Sequence, residues 1–178
     1  DYFDLDFVLH EVGHQFGATH TYAYDPEPFG VSSEPGSGST IMSYAGFVSG
    51  ENMQRHSDPY FHYHSIQDVE SYVDNVSCHS NINSLNQKPT VSAGKDFYIP
   101  KGTAYYLKAN GFDSDNDNLT YCWEQLDSGQ VDASNFGPDL LTGSINRSIP
   151  PSENEIRYIP NISQILNGNL VSSNPTLF

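Results

Sequence analysis

Positive charge is scarce in this 178-residue chain: seven Lys and Arg stand against 22 Asp and Glu, a formal net charge of −15. A protein held on phosphates needs a basic face, and here four of the seven cations are lysines spaced singly from Lys88 to Lys108. Nucleic-acid binding is thereby excluded, and an anionic membrane surface would repel the chain. Long apolar runs are missing too. None approaches the roughly 18 residues of a spanning helix, so membrane insertion is not expected. The opening Asp1-Tyr2-Phe3-Asp4-Leu5-Asp6 is not the charged-then-apolar pattern of a secretion signal, and any targeting segment is expected to be missing or removed. Cysteine is sparse as well: Cys78 and Cys122 allow at most one internal disulfide, which rules out a disulfide-framework miniprotein. Aromatic residues, at 13%, are plentiful enough to build cores for one or two domains.

The acid excess is uneven. Asp1, Asp4, Asp6, Glu11, Asp25, Glu27, Glu34 and Glu51 all precede the first cation, Arg55. Such a field favours bound cations.

The periodicity divides the chain near residue 80. Phe3, Phe7, Val8, Leu9, Val12 and Phe16 recur at helical spacing, predicting a helix over residues 3–15 with Asp4 and Asp6 in the first turn. Gly17 stands where a helix commonly stops. Residues 21–40, with three prolines and four serines, read as a long ordered loop. Ile66, Val69, Tyr72, Val73 and Val76 predict a second helix over residues 65–76. Residues 80–88 are Asn/Ser-rich and read as a linker. After Pro89 the apolar period changes to two, with short runs at 97–99, 104–109 and 119–124. The expectation is an α+β chain: residues 1–79 as one unit, 80–88 as linker, and 89–178 as a small antiparallel β-sandwich. The final Pro175-Thr176-Leu177-Phe178 carries no closing signal, so the chain is expected to end inside an element.

The chemistry concentrates in His10-Glu11-Val12-Gly13-His14-Gln15-Phe16-Gly17-Ala18-Thr19-His20. On a helix His10 and His14 project from one face a turn apart, so both imidazoles can reach one ion at the roughly 2.0–2.1 Å of zinc–nitrogen bonds. A left-handed Gly17 would turn the chain so that His20 points back at the same ion. Three imidazoles plus one water form a catalytic zinc arrangement, whereas a structural site is closed by four protein ligands. Glu11 is placed to act on that water as general base. At this chain's own residue frequencies the full pattern would arise in roughly 4 of 100,000 shuffled sequences.

These residues, followed by Ser39-Thr40-Ile41-Met42-Ser43-Tyr44, resemble the metzincin clan of zinc endopeptidases, whose long histidine motif precedes a Met-turn. The resemblance implies a zinc metalloendopeptidase acting on proteins or peptides, with Met42 as the hydrophobic floor beneath the metal. Tyr44 matches the tyrosine that astacin- and serralysin-like members use as an extra ligand or transition-state donor; a packed aromatic is the other reading. Thr21 stands where reprolysins usually have Asp and astacins Glu. The segment Phe61-His62-Tyr63-His64-Ser65-Ile66 and the later Tyr121-Cys122-Trp123-Glu124 are most similar to reprolysin-like secreted bacterial metallopeptidases carrying an Ig/PKD-like sandwich. That implies a secreted or cell-surface location. Metzincins place a twisted sheet before the zinc helix, whereas this sequence begins at that helix, so the resemblance implies that residues 1–79 are the C-terminal part of such a catalytic domain, or else a unit that cannot form the usual upper half of the cleft.

Asp113, Asp115 and Asp117 offer the hard oxygens calcium takes, although the segment reads first as a polar turn; as an EF-hand loop it lacks the Gly at position six, where Asn118 stands. His56, His62, His64 and His79 match no compact ligand spacing and read as packing or solvated histidines. A non-catalytic metal-binding adhesive or scaffolding module is the alternative from another functional class, and Glu11 argues against it because metal binding alone does not need that carboxylate. Peptide preference and oligomeric state leave no mark in the sequence.

Overall fold

The computed structural model describes residues 1–80, 82 and 84–170. Positions 81 and 83 of the expected linker, and the stretch 171–178 on which the expected chain end rested, lie outside the described residues. In chain order come a π-helical segment (Asp4–Leu9), α1 (His10–Gln15), α2 (Tyr63–Asn75), β1 (Thr90–Ser92), β2 (Tyr105–Lys108), β3 (Asn110–Phe112), β4 (Ile156–Ile159) and α3 (Ile162–Leu166). Short helices with antiparallel strand pairs place the chain in the α+β class. No helix among the described residues is long and apolar enough to cross a membrane.

The first predicted helix forms, but its winding changes from π to α at His10 and its burial is the reverse of its hydropathy. Phe3, Phe7, Val8, Leu9, Val12 and Phe16 are exposed, while Asp6, His10 and Gly13 face inward. Specific partners decide this. Asp6 accepts hydrogen bonds from His56 Nδ1 and the Ser57 amide, both at 2.8 Å. Gly13 lies directly over Met42, and a Cβ there would come within 2.4 Å of the methionine sulfur.

The helix stops in a Schellman turn. Gly17, at φ +86°, donates its N–H to the His14 carbonyl, and Ala18 donates to that of Gly13, both at 3.0 Å. The left-handed backbone admits only glycine cheaply, and the adjacent Tyr72 side chain leaves no room for a Cβ. The second helix starts two residues earlier than its apolar stripe predicts. His62 caps it, Nδ1 accepting from the His64 amide, so the cap rather than the stripe sets the start. Ala18, Ile41 and Met42 form a small core, and Phe61 and Val69 pack against it. Asp68 ties α2 to the loop before His20, accepting from the Thr19 amide at 3.1 Å and its hydroxyl at 2.9 Å.

Residues 89–170 build less regular sheet than the alternation predicts. Two separate two-stranded ladders form: β1 with β3 (Thr90↔Phe112) and β2 with β4 (Tyr105↔Ile159). Run 104–109 contains β2, whereas run 97–99 is not a strand and run 119–124 retains a single bridge, Tyr121↔Ser152. A side chain explains part of the difference. Arg157 donates to the carbonyls of Trp123 and Arg147, occupying acceptors that a neighbouring strand would otherwise use. Cys78 and Cys122 are not disulfide-bonded.

This part of the chain also packs on the first. Val131, fully buried, donates its N–H to Ala23 O at 2.9 Å and accepts from Gly36 N–H at 2.8 Å. Nearby, Tyr60 Oη donates to Ser148 Oγ (2.7 Å), and the Tyr63 amide donates to Glu124 (2.7 Å).

Candidate metal centre

His10 opens α1, His14 follows one turn later, and the Schellman turn brings His20 back alongside them. The three Nε2 atoms form a nearly equilateral triangle with sides of 3.1, 3.1 and 3.2 Å. Each opposite ring nitrogen faces an atom that can only accept: His10 Nδ1 meets Ile41 O at 2.7 Å, His14 Nδ1 meets Ala18 O at 2.8 Å, and His20 Nδ1 meets Glu27 Oε2 at 2.8 Å. All three Nδ1 atoms are therefore donors, and in neutral rings three Nε2 lone pairs converge with no proton to share. A cation placed among them satisfies that arrangement.

The triangle also has the right size. An ion at roughly 2.0–2.1 Å from all three nitrogens would subtend N–metal–N angles of about 100°, close to tetrahedral, and would leave one side open. The residues present fit zinc. Burial pushes His10 below the ordinary imidazole range, and neighbouring His14 and His20 add to this, against the opposing pull of the Ile41 carbonyl and Glu11. The neutral ring so favoured is the metal-binding form.

Around the triangle, Glu11 is exposed beside His10, and its carboxylate makes no hydrogen bond with a described residue. The Tyr44 ring lies 4.7 Å from that of His20 and 5.6 Å from that of His10, centroid to centroid. Burial raises its phenol above the usual range, with Glu27, Tyr24 and Glu11 adding to the shift, so Tyr44 is a proton donor at neutral pH. Met42 is fully buried beneath α1, against Gly13.

Two carboxylates that sequence reasoning assigned no role complete the surroundings. Glu27 holds His20 Nδ1 and accepts from the Tyr22 hydroxyl. Its own burial would raise its carboxyl, but those two hydrogen bonds outweigh it and leave the pKa lowered. Glu34, 1% exposed, accepts from Thr21 Oγ1 (2.6 Å), Thr40 Oγ1 (2.6 Å), the Ser39 amide (2.9 Å), Ser39 Oγ (3.1 Å) and the Thr40 amide (3.1 Å). It thereby ties Thr21, next to His20, to the turn that carries Met42. Both lie in the aperiodic loop, where no spacing rule marks them.

The remaining candidates do not converge. Among the described residues, His10, His14 and His20 are the group of three or more potential ligands whose atoms meet. Asp113 Oδ1 instead accepts from the Asp115 and Asp117 amides at 2.8 and 3.1 Å, and Asp115 accepts from the Gln87 amide. The geometry is that of a polar turn and gives calcium no support. His56 pairs with Asp6 and stacks on Tyr2, and His62 caps α2.

Residues 1–72 match the metallo-peptidase family M12B, reprolysin-like. The match takes in every residue of the histidine triangle, Glu11, the Met42 turn and Tyr44, and it stops within α2. The reprolysin-like segment is 72 of the 178 residues. No curated protein and no solved structure matches the chain significantly.

Proposed function

We propose that the protein is a zinc-dependent metalloendopeptidase. The observation that carries this reading is the triangle of converging Nε2 atoms 3.1–3.2 Å apart, and the similarity of residues 1–72 to a metallopeptidase family agrees with it. His10, His14 and His20 would hold the ion. Bound zinc supplies a Lewis acid that polarises a water and the scissile carbonyl. Glu11 takes a proton from the attacking water and delivers it to the amine nitrogen as the C–N bond breaks; its exposed carboxylate, without a competing hydrogen bond, suits that exchange. Tyr44, protonated and facing the ligand rings, donates to the oxygen that gains charge in the tetrahedral transition state. Met42 supports the ligand helix from below. The substrate is a protein or peptide. A secreted or cell-surface location, and an accessory role for residues 89–178 beside a catalytic part at 1–79, belong to the same reading and rest on the resemblance to secreted peptidases.

The test is Glu11→Ala in a fluorogenic-peptide or casein assay, with zinc content measured in parallel. The expected result is an activity loss of about 100-fold or more with one equivalent of zinc retained, and a chelator-sensitive parent. Undiminished activity in the variant, or an inactive parent that binds zinc, overturns the proposal.

A further inference from the structure

His20 differs from its two companions in how it is held. His10 and His14 take their direction from α1, and each Nδ1 donates to a backbone carbonyl that the fold fixes, Ile41 O and Ala18 O. His20 lies beyond the helix, where no helical register aims its ring. Its Nδ1 partner is a side-chain carboxylate, Glu27 Oε2, at 2.8 Å. That carboxylate is in turn held at its other oxygen by the hydroxyl of Tyr22, a residue only 4% exposed. The Tyr22 ring stacks on His20 with centroids 5.0 Å apart and planes within 29°, so one residue both backs the imidazole and anchors its acceptor.

The loop is closed to deliver this contact. Val31 N–H donates to His20 O at 3.1 Å and Gly30 N–H to Glu27 O at 3.2 Å, returning Glu27 to the residue it serves. At Gly30 a Cβ would press on both ends of that closure, 3.3 Å from His20 O and 3.4 Å from Glu27 Cβ.

From this arrangement we infer that Glu27, steadied by Tyr22, is the positioning residue for the third metal ligand: it fixes the Nδ1–H tautomer of His20, aims Nε2 at the ion and increases its donor strength. The inference rests on the zinc reading of the same site. A negative acceptor draws the Nδ1 proton more strongly than a carbonyl and leaves more electron density on Nε2, whereas losing it frees the ring to rotate or to protonate the wrong nitrogen.

The experiment measures zinc affinity by competition with a chromogenic chelator, and the visible absorption of the cobalt(II)-substituted full chain, for the parent, Glu27→Ala, Glu27→Gln, Tyr22→Phe and His20→Ala. Far-UV circular dichroism of the metal-free proteins monitors folding. The expected result is about 10- to 100-fold weaker zinc binding in Glu27→Ala, a smaller loss in Glu27→Gln, which keeps an acceptor oxygen without its charge, and an altered cobalt spectrum with unchanged dichroism. Should Glu27→Ala fail to fold, Glu27→Gln and Tyr22→Phe carry the test by the same two readouts. A parent that binds zinc and loses it in His20→Ala, with affinity and cobalt spectrum unmoved by the Glu27 and Tyr22 substitutions, overturns this inference alone. A parent that binds no zinc overturns it together with the metal reading.

Discussion

Removing the Glu34 carboxylate should destabilise the fold beneath the histidine site. The side chain is 1% exposed and accepts five hydrogen bonds, three at Oε1 from the Ser39 amide, the Ser39 hydroxyl and the Thr40 amide, and two at Oε2 from the Thr21 and Thr40 hydroxyls. In Glu34→Ala the two buried amides lose their acceptor, at about 1–3 kcal/mol each, and the three hydroxyls are left to find other partners. With the cavity added, the expected loss is about 3–5 kcal/mol, a large share of the stability of a small protein. Glu34→Gln is the informative contrast. Its carbonyl oxygen can serve the three donors at Oε1, and its NH₂ then faces two hydroxyls that can rotate to accept, so about 1–2 kcal/mol should be lost. Urea unfolding of the metal-free protein measures both. An alanine variant within 1 kcal/mol of the parent, or a glutamine variant as damaged as the alanine one, would refute the view that this carboxylate joins the two loops.

Two further outcomes follow from packing and burial. Gly13→Ala places a methyl group 2.4 Å from Met42 Sδ, and because Met42 is fully buried it cannot swing clear; the variant should lose about 1–3 kcal/mol by thermal unfolding despite alanine's better helix propensity. Cys122, although exposed as a residue, turns its sulfur toward Ile149 O at 3.3 Å, and partial desolvation of that atom, reinforced by Glu124, pushes the thiol up to about 11. Desolvation disfavours the thiolate, so alkylation by iodoacetamide should be slow at neutral pH and rise about tenfold per pH unit until near that value; a rate that levels off near pH 8.5, followed by peptide mass spectrometry, would contradict it.

The histidine triangle was legible in the sequence because its geometry is local. A helical turn places His10 and His14 on one side, a glycine that can turn left-handed ends the helix, and six residues suffice to bring His20 back. The two helices and the β2 strand were readable for a similar reason, since their apolar periodicity is short-range. Where the reading failed, distant partners had chosen differently. The apolar stripe of the first helix is exposed because Asp6 meets His56 and Ser57, fifty residues away, and because Gly13 receives Met42. The expected strand at 119–124 gives up its Trp123 carbonyl to Arg157.

Sequence by itself therefore determined which side chains could bind a metal and that one carboxylate stood ready beside them, because both follow from spacing along a few residues of backbone. Tertiary structure decided how those histidines are oriented. Ile41 O reaches His10 from 31 residues away, Glu27 reaches His20 across an aperiodic loop, and Glu34 joins Thr21 to the Met42 turn. Hydrogen bonds of that kind depend on where the folded chain places a donor and an acceptor, and no local pattern encodes that position.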